Sequence, residues 1–96
     1  MSVSLSTHVL DTAAGRPATG VKVELLHGSD QVAVATTDAD GRARLAESLD
    51  AGVYRLVFYP PSQFFRRVEL ELELADGHHH VPLLVSPFSC ASYRGS

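Results

Sequence analysis

Alternating hydrophobicity predicts an all-β fold, a small sandwich or barrel in which helix is a minor element. Three observations carry this reading. Apolar side chains recur with a period of two, the alternating runs are separated by turn-forming clusters roughly 8 to 15 residues apart, and one run, Val68-Glu69-Leu70-Glu71-Leu72-Glu73-Leu74, alternates without a break.

The first strand covers residues 3–9: Val3, Leu5 and Val9 point one way, while Ser4, Ser6 and His8 point the other. His8 therefore opposes the apolar face. The stretch Asp11-Thr12-Ala13-Ala14-Gly15-Arg16-Pro17 closes this strand with turn-forming residues. A second strand, residues 21–26, carries Val21, Val23 and Leu25 opposite Lys22 and Glu24, the mark of a half-buried strand. Gly28-Ser29-Asp30 turns the chain into a third, around residues 32–36, and Asp38-Ala39-Asp40-Gly41 reads as a tight hairpin followed at once by Arg42. Residues 46–49 are expected to form the one short helical segment. A strand over residues 53–59 follows Gly52 and ends at Pro60-Pro61. The run Val68–Leu74 is the clearest half-exposed strand. Beyond His80 the character changes, because His80-Val81-Pro82-Leu83-Leu84-Val85 is largely apolar on both faces. The inner face meets the opposite sheet, and a second copy of the protein is the simplest cover for the outer one. Pro82 adds an edge, a bulge or an irregular start.

The chain has 96 residues, 45% apolar and 20% charged, which fits one soluble domain over residues 1–96. A core of this size leaves no room for separate catalytic and regulatory units, so an active site must be small or shared between subunits. Eight basic against eleven acidic side chains, with no long basic run, give no footprint for nucleic acid or a membrane surface. The single cysteine, Cys90, cannot close an internal disulfide. No export signal or membrane span is legible, and the expected compartment is the cytoplasm.

Five histidines are a high count for such a chain. In an extended segment His78 and His80 share one side and offer a general base or metal ligands, although from spacing alone they also fit a solvated turn after Ala75-Asp76-Gly77. His8 and Arg42, taken singly, read equally as surface charges. If the His80 face lies at a subunit contact, however, polar groups there need hydrogen-bond partners or a ligand. Thr36, Asp38, Asp40, Gly41 and Glu47 fall at positions one, three, five, six and twelve of an EF-hand loop, but the first position lacks Asp and no helices flank it. Zinc held by His8, His78 and His80 is chemically sound, yet spacing does not show that the three converge. No serine lies in a Gly-x-Ser-x-Gly elbow, so activated water is the simpler nucleophile.

Four segments together resemble the 5-hydroxyisourate hydrolases of the transthyretin-like fold and span the whole chain. They are Leu5-Ser6-Thr7-His8-Val9-Leu10-Asp11 with Gly15-Arg16-Pro17-Ala18, then Thr37-Asp38-Ala39-Asp40-Gly41-Arg42, then His78-His79-His80-Val81-Pro82-Leu83-Leu84, and finally Ser86-Pro87-Phe88 with the terminal Tyr93-Arg94-Gly95-Ser96. The terminal tetrapeptide is the most specific, since transthyretin carriers share the fold but not that ending. Three departures stand out: a short Tyr59-Pro60-Pro61-Ser62-Gln63 connection, Arg66 where a proline commonly follows the two phenylalanines, and Ser89-Cys90 in place of a frequent Gly-Tyr.

The resemblance implies a two-sheet antiparallel β-sandwich with a short helix, and hydrolysis of 5-hydroxyisourate to 2-oxo-4-hydroxy-4-carboxy-5-ureidoimidazoline in urate breakdown, with neither metal nor cofactor. It makes His8, Arg42, His80 and Ser96 catalytic. It assigns substrate binding to His8, Arg42, His78, His80, Tyr93, Arg94, Gly95 and Ser96, in a homotetramer built as a dimer of dimers with active sites at the interface. The competing classes are a transthyretin-type small-ligand carrier and a β-sandwich binding module of the carboxypeptidase-regulatory type.

Overall fold

A computed structural model describes residues 2–95. The strands are β1 (Val3–Asp11), β2 (Arg16–Pro17), β3 (Lys22–His27), β4 (Asp30–Thr36), β5 (Arg42–Leu49), β6 (Gly52–Tyr59), β7 (Val68–Leu74), β8 (Gly77–Ser86) and β9 (Ser89–Ser92). They form two sheets. One has the order β2-β1-β8-β9, with β5 also paired to β1; the other runs β4-β3-β6-β7. Among the described residues β1 and β8 are the only parallel pair, and they join over their full length, from Val3 beside Gly77 to Asp11 beside Val85.

The core lies between the sheets, where the inward half of each alternating strand is buried. Leu5 and Val9 of β1, Leu25 of β3, Leu56 and Phe58 of β6 and Leu83 of β8 are at most 1% exposed. Truncating such a side chain to alanine costs about 2–5 kcal/mol, because lost transfer energy and an unfilled cavity add. The outward face of β7 carries Glu69, Glu71 and Glu73, as its alternation requires.

Two expectations are corrected. Residues 46–49 are not helical: they extend β5, with Ala46 beside Leu5 and Leu49 beside Val3. Ala43 and Leu45 already commit this segment to a period of two, and the open edge of β1 satisfies its backbone, so tertiary pairing overrides a local helix preference. Among the described residues no helix forms at all, so none is long and apolar enough to cross a membrane. Nor does Asp38-Ala39-Asp40-Gly41 close a hairpin within one sheet. It carries the chain from β4 in one sheet to β5 in the other.

That turn is clamped from several sides. The Asp38 carboxylate accepts the N–H groups of Asp40 at 2.9 Å and Arg42 at 3.0 Å. These bonds, the Arg42 one foremost, hold its carboxyl below the usual aspartate range. Gly41 has a φ of +76° and passes its carbonyl to the Val9 N–H at 2.7 Å. A Cβ at Gly41 would lie 2.5 Å from the Val9 carbonyl oxygen, so only glycine lets the turn press against β1. Arg42 therefore begins β5 directly opposite His8.

Pro82 marks an interruption, as its chemistry demands. Antiparallel pairing of β8 with β9 runs from Ser86 and Ser89 to Leu83 and Ser92, lapses at Pro82, and resumes as a single bridge between His80 and Gly95. The missing N–H falls in that lapse, where the Ser92 hydroxyl donates to the Pro82 carbonyl at 2.8 Å.

Candidate active site

Strands β5, β1 and β8 lie side by side, and their alternation decides which side chains meet on the outer face. The register sets His8 against Arg42 across β1 and β5, and Ser6 against His80 and Ser4 against His78 across β1 and β8. Directly opposed side chains have Cβ atoms about 4.5–5.5 Å apart, so the sheet collects three imidazoles and one guanidinium within a patch a few residues wide. A register shift at Leu5 and Ser6 bends the ladder beside this patch.

A shallow hollow of about 250 Å³ opens here, lined among others by Ser6, Asp38, Arg42, Arg44 and His80. His80 is half-buried, with Nδ1 2.8 Å from the Ser6 hydroxyl. Burial pushes its imidazole below the ordinary histidine value, and the positive charges of Arg42, His8 and His78 push the same way. His80 is thus neutral at pH 7 and equipped to accept a proton. His8 must donate from Nε2, because its partner at 2.8 Å is the Asp40 carbonyl. A neutral His8 therefore keeps a lone pair on Nδ1. His78 is exposed and held by Ser4 at Nδ1, 2.7 Å, and by Ser6 at Nε2, 3.0 Å. Arg42 is exposed, with a planar fork of donors suited to carbonyl or anionic oxygens.

Among the described residues the carboxy-terminal segment meets His80 at Gly95. Gly95 donates its N–H to the His80 carbonyl at 2.7 Å. Tyr93 and Arg94 line a different and larger hollow of about 420 Å³, with His79, Ser92 and the acidic strand β7. That hollow lies between the edge strands β7 and β9, and its histidine is already engaged by the Ala75 carbonyl at 2.8 Å. The smaller hollow is therefore the one lined by an available imidazole, His80. Ser96 lies outside the described residues.

Of the five histidines, His8, His78 and His80 share the patch, while the His79 ring is buried and His27 packs against Tyr54 with ring centres 4.9 Å apart. Among the described residues no group of three or more His, Cys, Asp or Glu side chains is placed to hold a metal ion. In particular, His8 turns Nε2 to a backbone carbonyl and both His78 nitrogens face serines. Sequence reasoning gave Ser6 no site role and weighed Asp38 only as a turn residue and a calcium ligand. Ser6 was detectable as the residue two before His8, and so on its face; Asp38 was detectable as the first position of an Asp-x-x-Gly turn.

A neutral imidazole, a second imidazole with a free lone pair and a fixed cation form the equipment of general acid–base chemistry on a polar carbonyl compound. The class is thus a two-sheet β-sandwich bearing an acid–base pocket on the outer face of one sheet. The chain belongs to the HIUase/Transthyretin family, which matches residues 5–95. It is 42% identical over 115 residues to the 5-hydroxyisourate hydrolase of Deinococcus radiodurans, covering 96% of this chain and 95% of that protein. The solved 5-hydroxyisourate hydrolase of Klebsiella pneumoniae superposes with a TM-score of 0.89 at 36% identity, covering all of both chains. The chain is also 37% identical to the bifunctional uric acid degradation protein of Arabidopsis thaliana, of which it spans 37%.

Proposed function

We propose that this protein hydrolyses 5-hydroxyisourate to 2-oxo-4-hydroxy-4-carboxy-5-ureidoimidazoline, a ring opening in urate catabolism, without metal or cofactor. The observation that carries the proposal is the register that sets His8 against Arg42 and Ser6 against His80. In this mechanism His80 takes a proton from water while the water oxygen bonds to the ring carbonyl carbon. Arg42 stabilises the resulting oxyanion. As the carbon–nitrogen bond breaks, the proton passes from His80 to the departing nitrogen, and His8 orients water or substrate through Nδ1. Gly95 brings the terminal segment against His80, and Ser96 is assigned a part in catalysis; Tyr93 and Arg94 line the separate hollow beside β7.

The assembly we propose is a homotetramer, a dimer of dimers. Two features support it: a hollow open to solvent in the single chain, and the edges of β7 and β9, which end their sheets among the described residues and suit pairing with a second copy. A cytoplasmic location is in keeping with the lone Cys90.

The deciding experiment follows the absorbance decay of freshly made 5-hydroxyisourate with and without a chelator, beside a measurement of mass in solution. Chelator-insensitive acceleration by a tetramer is expected. Binding without turnover would instead identify a carrier, turnover lost to chelator would identify a metal enzyme, and a monomer indifferent to the compound would identify a binding module.

A further inference from the structure

Four side chains on the outer face form an unbroken hydrogen-bonded row: Ser4 Oγ to His78 Nδ1 at 2.7 Å, His78 Nε2 to Ser6 Oγ at 3.0 Å, and Ser6 Oγ to His80 Nδ1 at 2.8 Å. The row runs from the half-buried His80 to the exposed His78. Ser6 is its pivot. Its hydroxyl has one proton, so it donates to one imidazole and accepts from the other.

This restricts the row to two complete arrangements. In the first, His80 donates from Nδ1 to Ser6, Ser6 donates to His78 Nε2, and His78 donates from Nδ1 to Ser4, which leaves a bare lone pair on His80 Nε2. In the second, every donor is reversed and His80 Nε2 carries the proton. The first arrangement makes His80 a base and the second makes it an acid. We propose that Ser6 is a positioning residue for the reaction, setting the tautomer of His80 and conducting its proton to His78 at the surface.

The inference rests on the hydrolase reading above and gives the row a definite task. Opening the ring consumes one water, whose oxygen joins carbon and whose proton reaches the departing nitrogen. The new carboxylic acid then ionises at neutral pH, because its pKa lies well below 7. That second proton must leave the pocket. It moves to His80 Nε2 while the Nδ1 proton passes to Ser6 Oγ and the Ser6 proton to His78 Nε2. The His78 Nδ1 proton then leaves through Ser4 to water. Each side chain in the row gains one proton and loses one, and the row ends in its second arrangement. To restore the first, His80 Nε2 gives a proton to water, Ser4 takes one from water, and each proton between them shifts back along the row.

The test uses the full-length protein and three forms of it. Ser6→Ala removes the pivot, Ser6→Thr keeps a hydroxyl on the same strand face, and His78→Phe removes the outer ring. Loss of kcat by roughly tenfold or more in Ser6→Ala and His78→Phe is expected, with KM little changed and the larger part recovered in Ser6→Thr. Wild-type kcat in Ser6→Ala, or an equal loss in Ser6→Thr, would overturn the proposal. Nitrogen NMR of the imidazoles reads the row without turnover. In the neutral wild-type protein His78 and His80 are expected to carry their protons on the same-named nitrogen, and Ser6→Ala is expected to uncouple them. Opposite tautomers in the wild type, or coupling that survives Ser6→Ala, would also overturn it. If the wild type fails to open 5-hydroxyisourate, the hydrolase reading falls, and the NMR result still decides whether Ser6 couples the two rings.

Discussion

Gly95 lies so close to His80 that a Cβ there would stand 2.9 Å from the imidazole Cδ2 and 3.3 Å from the His80 Cβ. A glycine is the one residue that lets the terminal segment run along β8 without turning the ring.

Gly95→Ala is therefore expected to displace the His80 imidazole while leaving the core intact. A misplacement near 1 Å at a catalytic group costs about 10²-fold in rate. Steady-state kinetics beside a thermal melt check this: a fall in kcat with an unchanged melting temperature is the expected pair.

Replacing Arg42 by Lys keeps the charge and loses the planar fork. A fall in turnover of about 10²–10³-fold is expected, the usual effect of removing an oxyanion donor. For His80→Ala the expected loss is about 10²–10⁴-fold, that of a missing acid–base group. Arg42 and His80 lie on the outer face, so circular dichroism should show the fold retained. Near-normal rates in these variants would remove both residues from the mechanism.

The pH profile follows from the His80 environment. Burial first, and then Arg42, His8 and His78, hold its imidazole below the ordinary value of about 6.5. The acidic limb of kcat/KM is expected below that value, because only the neutral ring accepts a proton. Removing the charge in Arg42→Gln is expected to move the limb upward in the residual activity, although burial still acts. The unfolded chain binds this proton at higher pH than the folded one, so the folded state loses stability as pH falls from about 6.5 through the lower folded value. Chemical denaturation across that window measures the change.

Gly41→Ala tests the inter-sheet turn. Its positive φ and the 2.5 Å approach of a Cβ to the Val9 carbonyl predict a loss of about 1–3 kcal/mol. At about 4–8 °C per kcal/mol for a domain of this size, calorimetry should show a clear fall in melting temperature.

Masking the carboxy terminus is expected to harm catalysis without unfolding the domain. Tyr93, Arg94 and Gly95 take no part in the buried core. Loss of turnover with an unchanged melt supports its place in the pocket; full activity would exclude it.

Strand faces were legible wherever one side of a strand is wet. Val3, Leu5 and Val9, or the leucines of β7, announce their inner face by alternation, and the positions of His8 and His80 on outer faces follow from the same count. Residues 46–49 were not legible in this way: alanine and leucine there are compatible with helix, and the open edge of β1 that draws them into β5 belongs to a distant part of the chain. The inter-sheet path of residues 38–41 was hidden for a similar reason, since an Asp-x-x-Gly turn looks the same whether its flanking strands pair with each other or with different partners.

Local patterning and motif thus settled the all-β character, the inward and outward halves of each strand, and which polar residues deserved testing. Their meeting was settled by non-local pairing. His8, Arg42 and His80 become neighbours because β1 takes β5 on one side and β8 on the other, in registers set by burying Leu5, Leu45 and Leu83 in one core. The same pairing divides the histidines, placing His78 in the hydrogen-bonded row through Ser6 and enclosing His79, because adjacent residues of a strand face opposite sides of the sheet.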